Sequence, residues 1–159
     1  MHEPETYKQA MNSKDASKWL EAMKSEMQSM KTNQTWDLVK LPPGRKLVDC
    51  RWTFKIKPNE AGGACRYKAR LCAFTQVYGI DFDETFSPVV KFTSIRVFLV
   101  KAISLKMVIH QMDVVTAFLN APLEEEIFMK QAPGFEEKGK EQLVCKLNKS
   151  LYGLKQSSR

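Results

Sequence analysis

The chain has 159 residues, of which 43% are apolar and 27% charged, close to the globular average and unlike a disordered or collagen-like polypeptide. Twenty-five Lys and Arg against eighteen Asp and Glu leave a net charge of +7, an excess that suits a polyanionic partner. Cys50, Cys65, Cys72 and Cys145 show no C-x-x-C spacing and His2 and His110 are isolated, which argues against a zinc site or a disulfide scaffold and for a reduced, intracellular setting.

The N-terminal stretch MHEPETYKQAMNSKD lacks an apolar signal core and carries acids where a transit peptide avoids them. Residues 13–31 then place Trp19, Leu20, Met23, Met27 and Met30 on one stripe of a predicted helix, with Ser13 as its cap and Asp15 in its first turn. The Met-rich stripe reads as core. Asn33 ends the helix, Trp36 to Leu41 reads as a short strand, and Pro42-Pro43-Gly44 as a turn.

The most ordered signal follows. From Val48 to Lys57 the apolar Val48, Cys50, Trp52, Phe54 and Ile56 alternate with Asp49, Arg51, Thr53, Lys55 and Lys57, a period of two that predicts a strand with one buried and one wet face. A turn is expected at 58–63. A second strand places Tyr67, Ala69 and Leu71 on one face and Arg66, Lys68 and Arg70 on the other. Paired as a hairpin with apolar faces together, the two strands gather Arg51, Lys55, Lys57, Arg66, Lys68 and Arg70 on one surface, opposed only by Asp49. Such a surface is either a solvated edge or a phosphate-binding shelf.

Asp81, Asp83 and Glu84 lie between Gly79 and Pro88 and read as turn chemistry. Ile95, Phe98, Leu99, Ala102 and Ile103 predict a helix from about Thr93 to Lys106 with a buried face. The apolar stretch Ile95 to Leu105 is broken by Arg96 and Lys101 and too short to span a bilayer. Met107 to Val114 reads as a mostly apolar strand with Asp113 at its exit. Pro122 stops regular structure, Ile127 to Lys130 and Leu143 to Leu147 read as short strands, and KSLYGLKQSSR could start a helix. A carboxylate at a strand exit is either the cap of the next turn or a functional group held by a cation; its position alone does not choose.

The segment IHQMDVVTAFLNAPLEEEIFMKQAPGF closely resembles the first catalytic motif of copia-type retrotransposon reverse transcriptases. ASKWLEAMKSEMQSMKTNQTWDLVKLPPGRKLVDCRWTFKIK, RYKARLCAFTQVYGIDFDETFSPVVKFTSIR and LVCKLNKSLYGLKQSSR resemble the same family in the same order. The resemblance implies an α+β fold, a right-hand polymerase with an antiparallel sheet and packing helices. After an N-terminal extension at 1–12, the fingers would occupy about 34–92 and an incomplete palm about 93–159.

It further implies RNA-directed DNA synthesis by two Mg²⁺ ions held on carboxylates. Asp113 matches the first metal ligand, with the Val114 backbone beside it and the triphosphate. Phe118 matches the aromatic that excludes a ribose 2′ hydroxyl. Lys68 and Arg70 match the motif that grips the incoming triphosphate, and Gly153, Lys155 and Gln156 match a segment near nucleotide and template. Arg51, Lys55, Lys57 and Arg66 would contact nucleic acid. The implied partners are template-primer, a deoxynucleoside triphosphate and the remainder of a Pol polyprotein, in the cytoplasm or nucleus and without a membrane.

The sequence also departs from the family. It contains no Tyr-x-Asp-Asp and no adjacent Asp pair, and one Asp cannot hold two ions about 4 Å apart. RYKARLCAFTQ is shorter than the usual RYKARLVAKGFTQ by a Lys-Gly pair, Val115 replaces a polar or basic residue, and SSR replaces APR. The chain alone is therefore expected to be inactive, with exposed palm edges. The alternative is a non-enzymatic, nucleic-acid-binding remnant of a decayed or domesticated element.

Overall fold

Period-two alternation produces the two longest strands. The computed structural model describes residues 2–58, 66–114 and 116–159; most of the turn expected at 58–63, together with Cys65 and Val115, lies outside them. The strands are β1 (Trp36–Val39), β2 (Leu47–Lys57), β3 (Arg66–Phe74), β4 (Phe128–Met129) and β5 (Val144–Leu147). They form one sheet in the order β1-β5-β4-β2-β3. β2 bridges its two halves. Leu47 and Val48 pair with β4, and Asp49 to Lys57 pair with β3. The β2–β4 pairing is parallel, so the sheet is mixed and not the antiparallel one expected, because the short β4 returns to β2 by a long connection and not by a hairpin.

In the β2–β3 register Trp52 opposes Leu71, Phe54 opposes Ala69 and Ile56 opposes Tyr67. Helix α2 (Ala16–Thr32) covers this apolar face through Trp19, Met23 and Met30. The Trp19 ring meets Phe54 edge-on at 5.2 Å and Tyr67 at 4.6 Å, and the indole N–H of Trp52 donates to the Pro133 carbonyl at 2.9 Å. Asn33 ends α2 as expected. The helix does not begin at Ser13, whose hydroxyl donates to the Ala10 carbonyl at 2.8 Å. It thereby closes a preceding helix, α1 (Tyr7–Met11), which packs Ala10 into the core within the stretch read as an extension. Asp15 holds the cap position of α2 without a capping bond and pairs with Lys18 at 2.8 Å.

Helix α3 (Phe92–Ser104) forms where its periodicity places it, but its apolar side is not buried. Ala102 alone in this helix is buried, and Phe92 is 80% exposed. Residues 107–114 form no strand. Both departures have one cause. A helix closes its own hydrogen bonds, whereas a strand exists only by pairing and an apolar face only buries against another surface, and none of the described residues supplies either. The final segment forms turns and no helix. It docks instead on the open edge of β3, where the Ala73 N–H donates to the Tyr152 carbonyl at 2.9 Å.

Gly153 makes this docking possible. Its φ is +87°, and a Cβ there would lie 2.3 Å from the Ala73 carbonyl oxygen. Gly153→Ala should therefore cost about 1–3 kcal/mol in a urea titration, with the Ala73 amide losing hydrogen-exchange protection first. Unchanged stability and protection would contradict the close approach.

Candidate nucleic-acid interface

The pairing that buries Trp52 and Phe54 turns Arg51, Lys55, Lys57, Arg66, Lys68 and Arg70 to the opposite face. Lys55 directly opposes Lys68, and Lys57 opposes Arg66, so like charges sit across from one another on one surface. Asp49, the one acid expected there, is turned to Lys130 at 2.6 Å. Two other acids, from elsewhere in the chain, pair with these cations. Glu3 accepts from the Ile56 amide at 2.8 Å and pairs with Lys55 at 3.2 Å. The Ile56 bond, then Lys55, holds the Glu3 carboxyl below the usual range. Glu26 of α2 pairs with Arg70 at 2.9 Å. Arg51 lies over the Phe74 ring at 5.3 Å. Among the described residues Lys57, Arg66 and Lys68 have no ion pair.

Lys68 records the crowding. Burial lowers its pKa first, and the charges of Lys57, Arg66 and Arg70 lower it further, while Asp113 opposes them. The pull of Asp113 is the weakest of these effects, and no ion pair joins it to Lys68. Asp113 lies exposed in the irregular stretch 107–114, not at a strand exit. Val114 beside it is 66% exposed. Thr116, at a φ of +54°, leads into a 3-10 helix (Ala117–Asn120) and lines one cleft with Arg66, Lys68 and Arg70.

Tyr152, which the sequence pattern does not single out, joins Phe118, Arg70 and Gly153. Its ring meets Phe118 edge-on at 5.0 Å and lies under the Arg70 guanidinium at 5.2 Å, and Gly153 follows it on the edge of β3. Lys155 is exposed, and its backbone N–H donates to Gln76 Oε1 at 2.6 Å. Gln156 is buried. Its amide donates to the Asp81 carbonyl at 3.0 Å and accepts from Gln76 at 3.0 Å, fixing the tail to the 76–81 turn. Asp81 is buried too, accepting from the Val77 amide at 2.7 Å. The signal for Tyr152 is an aromatic next to a glycine in the tail. For Glu26 it is a carboxylate on the stripe that carries Trp19, Met23 and Met30.

Among the described residues no three His, Cys, Asp or Glu side chains are grouped to hold a metal ion. Asp113 and the Val114 carbonyl do not by themselves fit a pair of Mg²⁺ ions. No helix among the described residues is long and apolar enough to cross a membrane.

Because Asp113 raises the Lys68 pKa, Asp113→Asn should lower it and Arg66→Gln should raise it. An NMR titration of the Lys68 side chain reads both. An Asp113→Asn chain with an unmoved Lys68 would place the carboxylate out of reach.

The profile of the reverse transcriptase (RNA-dependent DNA polymerase) family matches residues 33–159. The chain is 52% identical over 159 residues to the retrovirus-related Pol polyprotein from transposon TNT 1-94 of Nicotiana tabacum, covering 99% of this chain and 12% of that protein. It is 47% identical over 160 residues to that from transposon RE1 of Arabidopsis thaliana, covering 99% and 11%. An uncharacterized mitochondrial protein of Arabidopsis thaliana is 43% identical over 83 residues, 51% of this chain and 49% of that protein. No solved structure matches the chain. The chain thus spans about an eighth of the first of these polyproteins, and it belongs to the reverse transcriptase (RNA-dependent DNA polymerase) family.

Proposed function

We propose that the chain is the phosphate-gripping part of an RNA-directed DNA polymerase, with the β2–β3 hairpin as fingers and the region from about 93 as the start of a palm. The observation that carries this reading is the cationic face, on which Lys57, Arg66 and Lys68 have no ion pair among the described residues, in a chain of this family. A sheet surface of like charges is strained by repulsion until an anion lies on it, and a nucleic-acid backbone or a triphosphate supplies that anion.

In this reading Lys68 and Arg70 grip the triphosphate, while Arg51, Lys55, Lys57 and Arg66 track the template-primer. Phe118 stands against the sugar with Tyr152 behind it. Gly153 and Gln156 hold the tail against Ala73 and Asp81, which brings Tyr152 to Arg70 and leaves Lys155 exposed toward the nucleic acid. Asp113 and the Val114 carbonyl would be one share of a metal site whose other carboxylates are not among the described residues. No catalytic step is assigned to the chain alone. The bare apolar side of α3 fits the same account, since so large an exposed patch calls for a covering surface, and the longer relatives contain more chain to supply one.

The second reading is a binding remnant without catalysis. It is favoured by the short mitochondrial relative, of which 83 matched residues make up 49%. The genomic sequence downstream separates the two: an open frame encoding Tyr-x-Asp-Asp supports the polymerase, and an early stop supports the remnant.

The chain should bind single-stranded DNA or an RNA–DNA hybrid weakly, with affinity falling steeply as salt rises. Lys57→Gln should reduce the salt slope by about 0.7 on single strands; a flat salt response would remove the basic-face argument. The isolated chain should show no primer extension with Mg²⁺, and incorporation abolished by Asp113→Ala would overturn its assignment as incomplete.

A further inference from the structure

The buried stripe of α2 reads Trp19, Met23, Glu26, Met30, so a carboxylate stands where an apolar side chain would serve packing. Glu26 is 3% exposed. Its Oε2 accepts from Arg70 Nη1 at 2.9 Å, and its Oε1 has no hydrogen-bond partner among the described residues. Burial raises its pKa, against the pull of Arg70 and of the Leu71 backbone amide on the open edge of β3. Burying a carboxylate this way is costly, and an apolar residue would fill the stripe without that cost. Packing does not account for Glu26.

Arg70 does. Its Nη1 donates both to Glu26 and to the Ala69 carbonyl, the latter at 3.1 Å, and its guanidinium lies over Tyr152 at 5.2 Å. Among the described residues both hydrogen bonds leave through Nη1. The Nε–Nη2 edge, which pairs with a phosphate by two parallel bonds, is left for a ligand, and the side chain is 34% exposed. An arginine fixed beforehand loses less freedom when the ligand arrives.

We propose that Glu26 is a positioning residue: its carboxylate holds Arg70 through Nη1 so that the remaining edge of the guanidinium meets a phosphate of a polyphosphate ligand. This rests on the reading of the basic face as a phosphate-binding surface. Glu26 itself touches no phosphate. The sign of its effect separates positioning from charge, because removing an anion beside a phosphate site by Coulomb's law alone strengthens phosphate binding.

The experiment is a double-mutant cycle on the full chain with inorganic tripolyphosphate as the probe, read by calorimetry in E26Q, R70Q, the pair, and K68Q. E26Q should weaken binding roughly three- to tenfold and have no effect once Arg70 is replaced. Its melting temperature should stay at or above the parent's, since a buried charge is removed while the partly exposed Arg70 can hydrate. Unchanged or tighter binding by E26Q, or an equal loss in the R70Q background, overturns the positioning role while leaving the basic face intact. Unchanged binding by both R70Q and K68Q overturns the basic face and the positioning role with it. Should E26Q fail to fold, side-chain NMR of the unmutated chain decides. Slowly exchanging Arg70 Nη1 protons support the clamp, and one averaged guanidinium signal overturns it.

Discussion

Nine consecutive residue pairs between β2 and β3 hold the molecule's chemistry in place. Because side chains alternate, this register sends Trp52, Phe54, Ala69 and Leu71 to α2 and the six Lys and Arg residues to the other side. A slip of one residue would exchange the two sets, burying cations and exposing indole. The aromatic contacts of Trp19 with Phe54 and Tyr67 resist that slip. Packing on one face thus sets the charge pattern on the other, and Glu3 and Glu26 offset part of it through Lys55 and Arg70.

The open edge of β3 is the second constraint, since an unpaired edge invites pairing with another chain. Here the edge is closed from within. The tail docks on it at Ala73 through Tyr152 and Gly153. This closure also brings Phe118, Tyr152 and Arg70 into one cluster. The same residues thus close the edge and form the cluster that the proposed function uses.

The hairpin, its two faces and the core stripe of α2 are legible in the amino-acid pattern because alternation and helical spacing are local properties. The neutralising acids are not, since Glu3 and Glu26 lie 52 and 44 residues from the cations they meet. Nor is the start of α2, where the Ser13 hydroxyl serves the helix before it. The 107–114 stretch and the apolar side of α3 mislead in the opposite direction. Their patterns correctly report a preference for burial, but burial requires a second surface, and a pattern does not say whether one is present. Gln156 shows a similar gap, because its amide is engaged by Gln76 and Asp81, 80 and 75 residues away.

Where phosphate meets this protein is the question on which the functional account stands, and NMR shift mapping of the full chain with a single-stranded DNA oligonucleotide answers it residue by residue. The account predicts that the shifts gather on Arg51, Lys57, Arg66, Lys68 and Arg70 and extend to Asp113. Shifts confined instead to the groove between α2 and β1, bordered by Lys24, Lys31, Lys140 and Lys149, would contradict it.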